Sequence, residues 1–291
     1  MIAGLNSQMT DILQSLPPEW NLSSPELFVE THTSRIIMVR QENGEPAVVK
    51  QLNATGMENE LRGTHYLEWH DGHGCVRVLA QKDNNVLLEY GGSRTLLDHL
   101  NEHGDEAATM IFTQVYLQLQ ESHRKNKPVS SEFVPLRTQF SSLFKKAEQD
   151  RKSGGQSLFV EVAAVADRLL GNQRDIQPLH GDVHHENILF GKRGWLVIDP
   201  QALLGDPAYD AANMFYNPIE RPDLRANEHR AAAMAEIFER AFNRNRKDFL
   251  EFGMAHACLS ASWHDEDENF DEKARSLAVA TAIGKVLASL G

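Results

Sequence analysis

The sequence predicts an α+β protein of two lobes: residues 1–90 form an antiparallel sheet with one helix, and residues 91–291 form a mainly α lobe. Three observations carry this. Residues 27 to 50, "LFVETHTSRIIMVRQENGEPAVVK", hold three β-rich segments with a turn signal at Asn43-Gly44. From "TLLDHL" onward the apolar spacing becomes helical, with Ala108, Ile111, Phe112, Val115 and Leu119 on one face of residues 105 to 123. Gly91-Gly92 falls where the pattern changes and marks the expected junction. At 291 residues and 41% hydrophobic, the chain is long enough to bury a sizeable core.

The elements follow in order. A short amphipathic stretch (Met9, Ile12, Leu13, Leu16) is closed by Pro17 and Pro18, and the three β-rich segments then read as an antiparallel meander. Residues 57 to 70, "MENELRGTHYLEWH", place Leu61, Tyr66 and Leu67 among charges and read as one helix, followed by strand-like "CVRVLA" and "NVLLEY". Beyond the junction, helices are expected at 105–123, at 156–170 before Gly171, and at 226–243, 247–262 and 270–289. No internal repeat or low-complexity segment appears.

Charge and composition narrow the partners. With 29 Lys and Arg against 41 Asp and Glu, the formal charge of -12 disfavours nucleic acid and anionic membranes and favours a small cationic substrate. Cys75 and Cys258 are too few for a disulfide framework, and "MIAGLNSQMTDILQSL" lacks the basic start and small-residue cleavage site of a secretory signal, so a cytoplasmic setting is expected. No apolar run approaches the roughly 18 residues of a spanning helix. A monomer or weak dimer is the expected state.

The chemistry gathers in "LHGDVHHENILFGKRGWLVIDP", residues 179 to 200. Asp182, Asn187 and Asp199 can converge on one end of a hairpin, an oxygen-rich set that suits Mg2+. The histidines point instead to zinc, but adjacent His184 and His185 face opposite sides of an extended chain, which is poor geometry for one ion. The plainer reading makes His180 a hydrogen-bonded core residue and the other two loop surface. Asp182, four intervening residues, Asn187, then an Asp ending the next apolar strand is the spacing that phosphoryl transfer uses in kinases.

On these residues the chain resembles the eukaryotic-like kinase superfamily. "LHGDVHHENILF", "WLVIDPQALLGDPAYDAANMFYNP" and "ENELRGTHYLEW" make it similar to the aminoglycoside phosphotransferase branch, in particular its streptomycin 6-phosphotransferase and hydroxyurea resistance kinase subgroup, over about residues 28 to 220. The resemblance implies a protein-kinase-like fold and an ATP-dependent small-molecule O-kinase acting on a streptomycin-like acceptor, with ATP and Mg2+ as cofactors. Asp182 would be the catalytic base, Asn187 and Asp199 the Mg2+ ligands, and Lys50 the phosphate contact, with Glu60 favoured over Glu58 as its ion-pair partner.

No GxGxxG occurs between the first two strands; "THTSR" stands there, and Ser34 is the expected phosphate contact. "VLLEYGG" resembles the interlobe hinge, where the Glu89 carbonyl and Gly91 N–H would meet the adenine edge with Leu88 behind the base. His184 stands where kinases of Ser and Thr carry Lys, Pro200 follows Asp199, and no long activation segment appears, so a protein substrate is not expected. Asp210 is expected to cap the next helix or bond the catalytic-loop backbone, and Asp206 either to do the same or to face substrate. In "HDEDENFDE", residues 264 to 272, Asp265, Glu266 and Asp267 are candidates for a substrate wall; a solvated acidic loop capping the last helix is the plainer alternative. Other readings of the whole are a kinase of hydroxyurea or another metabolite, a nucleotide-binding pseudokinase, and a zinc hydrolase.

Overall fold

The computed structural model describes residues 10–123, 128–129 and 131–291. Met9, at the start of the first amphipathic stretch, lies outside them; residues 10–14 are helical. The meander forms as β1 (Ser23–Glu30), β2 (Ser34–Arg40) and β3 (Pro46–Leu52), joined by β4 (Val78–Lys82) and β5 (Asn85–Glu89) in the antiparallel order β1-β2-β3-β5-β4. Alternation along the strands gives this sheet two different faces. Ile37, Val39, Ala47, Val49 and Leu87 are buried on one side under Ile12 and Leu16. The other side carries half-buried Ile36, Met38, Val48 and Leu88, with Lys50 in the same row, directly opposite Ile36.

The helix expected at 57–70 is two helices, α1 (Ala54–Asn59) and α2 (Leu61–His70). The Asn53 side chain accepts from Gly56 N at 3.0 Å and starts the first earlier than expected, and Glu60, with φ -112° and ψ -19°, breaks the ladder between them. The strand expected from Cys75 begins only at Val78. Cys75 is spent on a parallel bridge to Val197 of the second lobe, flanked by the Val76 N to Val197 O and Val197 N to Gly74 O bonds.

The second lobe runs β6 (Arg94–Thr95), α3 (Leu96–His103), α4 (Asp105–His123), β7 (Val134–Pro135), α5 (Leu136–Gln139), α6 (Ser141–Lys152), α7 (Leu158–Gly171), β8 (Gln177–Leu179), β9 (Ile188–Gly191), β10 (Gly194–Val197), β11 (Leu203–Gly205), α8 (Ala208–Tyr216), α9 (Glu228–Phe242), α10 (Arg246–Glu266) and α11 (Phe270–Ser289). Two three-stranded sheets, β10-β9-β6 and β7-β11-β8, sit among the helices. Helix α10 is the axis of this lobe, buried without a break from Phe249 to Ser262. It continues past the expected end at 262, so Asp265 and Glu266 belong to its last turn and not to a loop. Helix α6 was not expected: of its twelve residues only Leu143 and Ala147 are fully buried, too thin a stripe to register as periodicity.

Candidate active site

The site is built on the loop after β8. The Asp210 carboxylate, from the first turn of α8, accepts from His180 N at 2.8 Å and Gly181 N at 2.7 Å and pins that loop to the helix. The fully buried His180 ring donates through Nε2 to Ile198 O (2.8 Å) and accepts at Nδ1 from Asp182 N (3.2 Å), so it works as a neutral spacer; burial lowers its pKa to about 4. Strands β9 and β10 then make a hairpin closed by the Ile198 N to Asn187 O bond of 2.9 Å. Asn187 and Asp199 are thereby brought to its open end.

Each polar group there has a defined orientation. The Asn187 amide nitrogen donates to Asp182 O (2.9 Å) and faces His184 Nε2 (3.1 Å); among the described residues Oδ1 accepts nothing. Asp199 has φ 59°, a left-handed turn that Asp tolerates better than most residues, and 56% of its side chain is exposed. From β3 across the cleft, Lys50 Nζ lies 2.5 Å from Asp199 Oδ1 and 2.7 Å from Glu60 Oε2. Burial alone would lower the pKa of this ammonium, but Asp199 and Glu60 outweigh it and hold it above the ordinary value. Helix α2 approaches closely enough that a Cβ on Gly63 would stand 2.3 Å from Pro200 O.

Asp182 turns 41% of its side chain to the cleft, with Asn213 Nδ2 3.4 Å from Oδ1 and His184 Nε2 3.8 Å from Oδ2. Its walls nonetheless remove enough water to push the carboxyl up to about 7, with Asp199 and Asp210 adding to the rise. Asn213, which also donates to Val183 O, was missed from sequence. Its signal was its place one helical turn after Asp210 in "DAAN".

Some expected residues lie away from the cleft, while Glu89 and Gly91 lie at the lobe junction where they were expected. Ser34 is buried in its own turn, its N–H given to Thr31 Oγ1 at 3.0 Å and its hydroxyl 3.3 Å from the same atom; Thr31 and His32 are the exposed residues there. Asp206 does not face an acceptor: only 1% exposed, it accepts from Arg244 Nη1 and Nη2 at 2.5 and 2.9 Å and from the backbone N of Arg174 and Ala208. Asp265 is bound by Lys146 and Lys273 and Glu266 by Lys145 and Ser142, so these two are already paired, while Asp267 is exposed at the end of α10. The Glu89 carboxylate turns to Arg193, its N–H goes to Arg77 O, and Gly91 follows at the lobe junction. His185, expected at the loop surface, is fully buried. Among the described residues no three His, Cys, Asp or Glu side chains gather as ligands of a metal ion.

A half-apolar sheet roofing a cleft, a lysine bridged to a helix glutamate and a strand-end aspartate, and a second aspartate open to the cleft define a kinase-like phosphotransferase. Residues 19–268 match the family described as aminoglycoside/hydroxyurea antibiotic resistance kinase, and the chain belongs to that family. It is 33% identical to streptomycin 3''-kinase of Klebsiella pneumoniae over 84% of this chain and 89% of that protein. It is 30% identical to streptomycin 6-kinase of Streptomyces griseus over 91% of this chain and 86% of the other. In fold it is similar to aminoglycoside phosphotransferase APH(4)-Ia solved with AMP-PNP and hygromycin B (TM-score 0.64, 16% identity, 96% of this chain and 98% of that one). Choline kinase LicA from Streptococcus pneumoniae is similar to the same degree (TM-score 0.64, 18% identity, 97% and 99%).

Proposed function

We propose that the protein transfers the terminal phosphoryl group of ATP to a hydroxyl of a cationic, streptomycin-like aminoglycoside. The observation that carries this is Lys50, held between Glu60 and Asp199 at 2.7 and 2.5 Å beside an open Asp182. The half-buried apolar row of Ile36, Met38, Val48 and Leu88 offers a roof for the base. Asn187 Oδ1 and the Asp199 carboxylate are hard oxygen donors with room beside them, which suits Mg2+. When bound there, Mg2+ supplies neutralisation of charge on the phosphates.

The chain's own groups do the rest. Lys50 holds positive charge against the phosphates, and its link to Glu60 fixes where that charge sits. Asp182 orients the acceptor hydroxyl and takes its proton as the new O–P bond forms and the bond to ADP breaks. Asp210, Asn213 and His180 keep Asp182 in place. Beside the loop, burial and then neighbouring Glu220 raise the Glu186 pKa, and an ammonium or guanidinium of the acceptor near these two carboxyls would favour their ionised forms.

The sequence relatives support this acceptor class. Two of the similar proteins are streptomycin 6-kinases and one a streptomycin 3''-kinase, while hydroxyurea phosphotransferase of Kitasatospora aureofaciens is 24% identical. ADP release measured with streptomycin, hygromycin B, hydroxyurea or choline as acceptor tests the reading. Streptomycin should stimulate release and gain one phosphoryl group by mass. Turnover with hydroxyurea or choline and none with either aminoglycoside would replace the proposed acceptor.

A further inference from the structure

The turn between β9 and β10 carries Arg193, whose guanidinium reaches out of the second lobe into the hinge. Nε and Nη2 hold Glu89 Oε1 and Oε2 at 2.7 and 2.6 Å, a two-pronged, charge-assisted grip, while Nη1 and Nη2 donate to Gly72 O and Cys75 O at 2.7 and 2.8 Å. Both side chains are mostly shielded, 26% and 22% exposed. Glu89 is held from its other side as well, since Oε2 accepts from Arg77 N at 3.1 Å. The hairpin backbone also meets the hinge directly: a Cβ on Gly92 would stand 2.0 Å from Phe190 O. The Val76 and Val197 bonds complete the clasp.

The opposite end of the same hairpin carries Asn187 and Asp199. A four-residue strand rises roughly 13 Å, on the scale of a nucleoside triphosphate. We infer that Arg193 is a positioning residue that sets the distance between the base-edge contact at the hinge and the oxygen donors at the hairpin's open end, so that the two ends of a nucleotide are engaged together. This rests on nucleotide binding in the cleft as proposed above. Nothing in Arg193 itself touches the reacting atoms; its effect passes through a short, doubly hydrogen-bonded ribbon.

A spacing role makes a demand that simple support of the fold does not. A ligand spanning both ends must suffer more from its loss than a ligand using one end. Calorimetric titration of wild type, Arg193→Met and Arg193→Lys with adenosine and with ATP plus Mg2+ reads this directly. Arg193→Met should weaken ATP about tenfold while adenosine stays within about twofold, and Arg193→Lys, with charge but no fork, should recover only part. Glu89→Gln, nearly the same shape, should give the same split if Arg193→Met does not fold. Equal weakening of both ligands, or no change in either, overturns the spacing role. A wild-type protein that binds neither ligand overturns instead the nucleotide reading on which it rests.

Discussion

Replacing Asp206 separates two roles that the sequence left open. In Asp206→Ala the Arg244 guanidinium loses two short bonds, and the backbone N–H groups of Arg174 and Ala208 lose their acceptor. The Arg244 side chain is 13% exposed and the Asp206 side chain 1%, so water cannot replace the lost carboxylate without local opening. Breaking a buried pair of this kind costs about 3–5 kcal/mol. Asp248, still 2.9 Å from Arg244 Nε, keeps the loss toward the lower end. At about 2 °C per kcal/mol for a chain of this size, the lower part of that range lowers Tm by roughly 6–8 °C. Arg244→Met should fall similarly, and the double variant by less than the sum. Thermal melts followed by circular dichroism, with acceptor KM measured well below the transition, provide the assay. A Tm within about 2 °C of wild type together with a several-fold higher acceptor KM would refute the reasoning and return Asp206 to the acceptor pocket.

Further outcomes concern the chemical step. Asp182→Asn should lower kcat by about 10²–10⁴-fold with ATP affinity changed only a few fold; a matching loss of ATP affinity would assign Asp182 to nucleotide binding. Because burial raises the Asp182 carboxyl to about 7 and only its ionised form accepts a proton, kcat/KM should fall as pH drops through that value and level off above it. A flat profile from about pH 6 to 8 would contradict that assignment. Asp199→Ala should abolish the Mg2+ dependence of nucleotide binding in calorimetry, and full retention of that dependence would remove Asp199 from the metal site.

What could be read from sequence was what local spacing dictates. Asp182, Asn187 and Asp199 lie within one loop and one hairpin, so strand period and turn length alone bring them together. Lys50, 149 positions from Asp199, was legible because it lies in a strand of recognisable pattern, which runs two residues further to Leu52, although the break at Glu60 in the following helix was not. Asp206 does accept from Ala208 N at the start of α8, one of the two roles left open, but the distant cations that hold carboxylates were not legible. Asp206 pairs with Arg244 across 38 positions, and Glu266 with Lys145 across 121; an isolated carboxylate in sequence carries no sign of which cation will neutralise it. Ser34 failed for a local reason, since Thr31 three residues earlier takes up its N–H and crowds its hydroxyl.

The contact of Gly63 with Pro200 has a bearing on control. A helix that faces its neighbour through bare backbone has no side chain to yield, so α2 can leave only by giving up the whole contact and the Lys50 to Glu60 bond with it. Enzymes switched by swinging such a helix spend most of their time in an idle arrangement and must be pushed out of it. In this chain the Lys50 to Glu60 bond is made and Gly63 lies against Pro200 O, so the helix is seated against the second lobe. Seated in this way, the helix that borders Glu60 is a fixed wall beside Lys50.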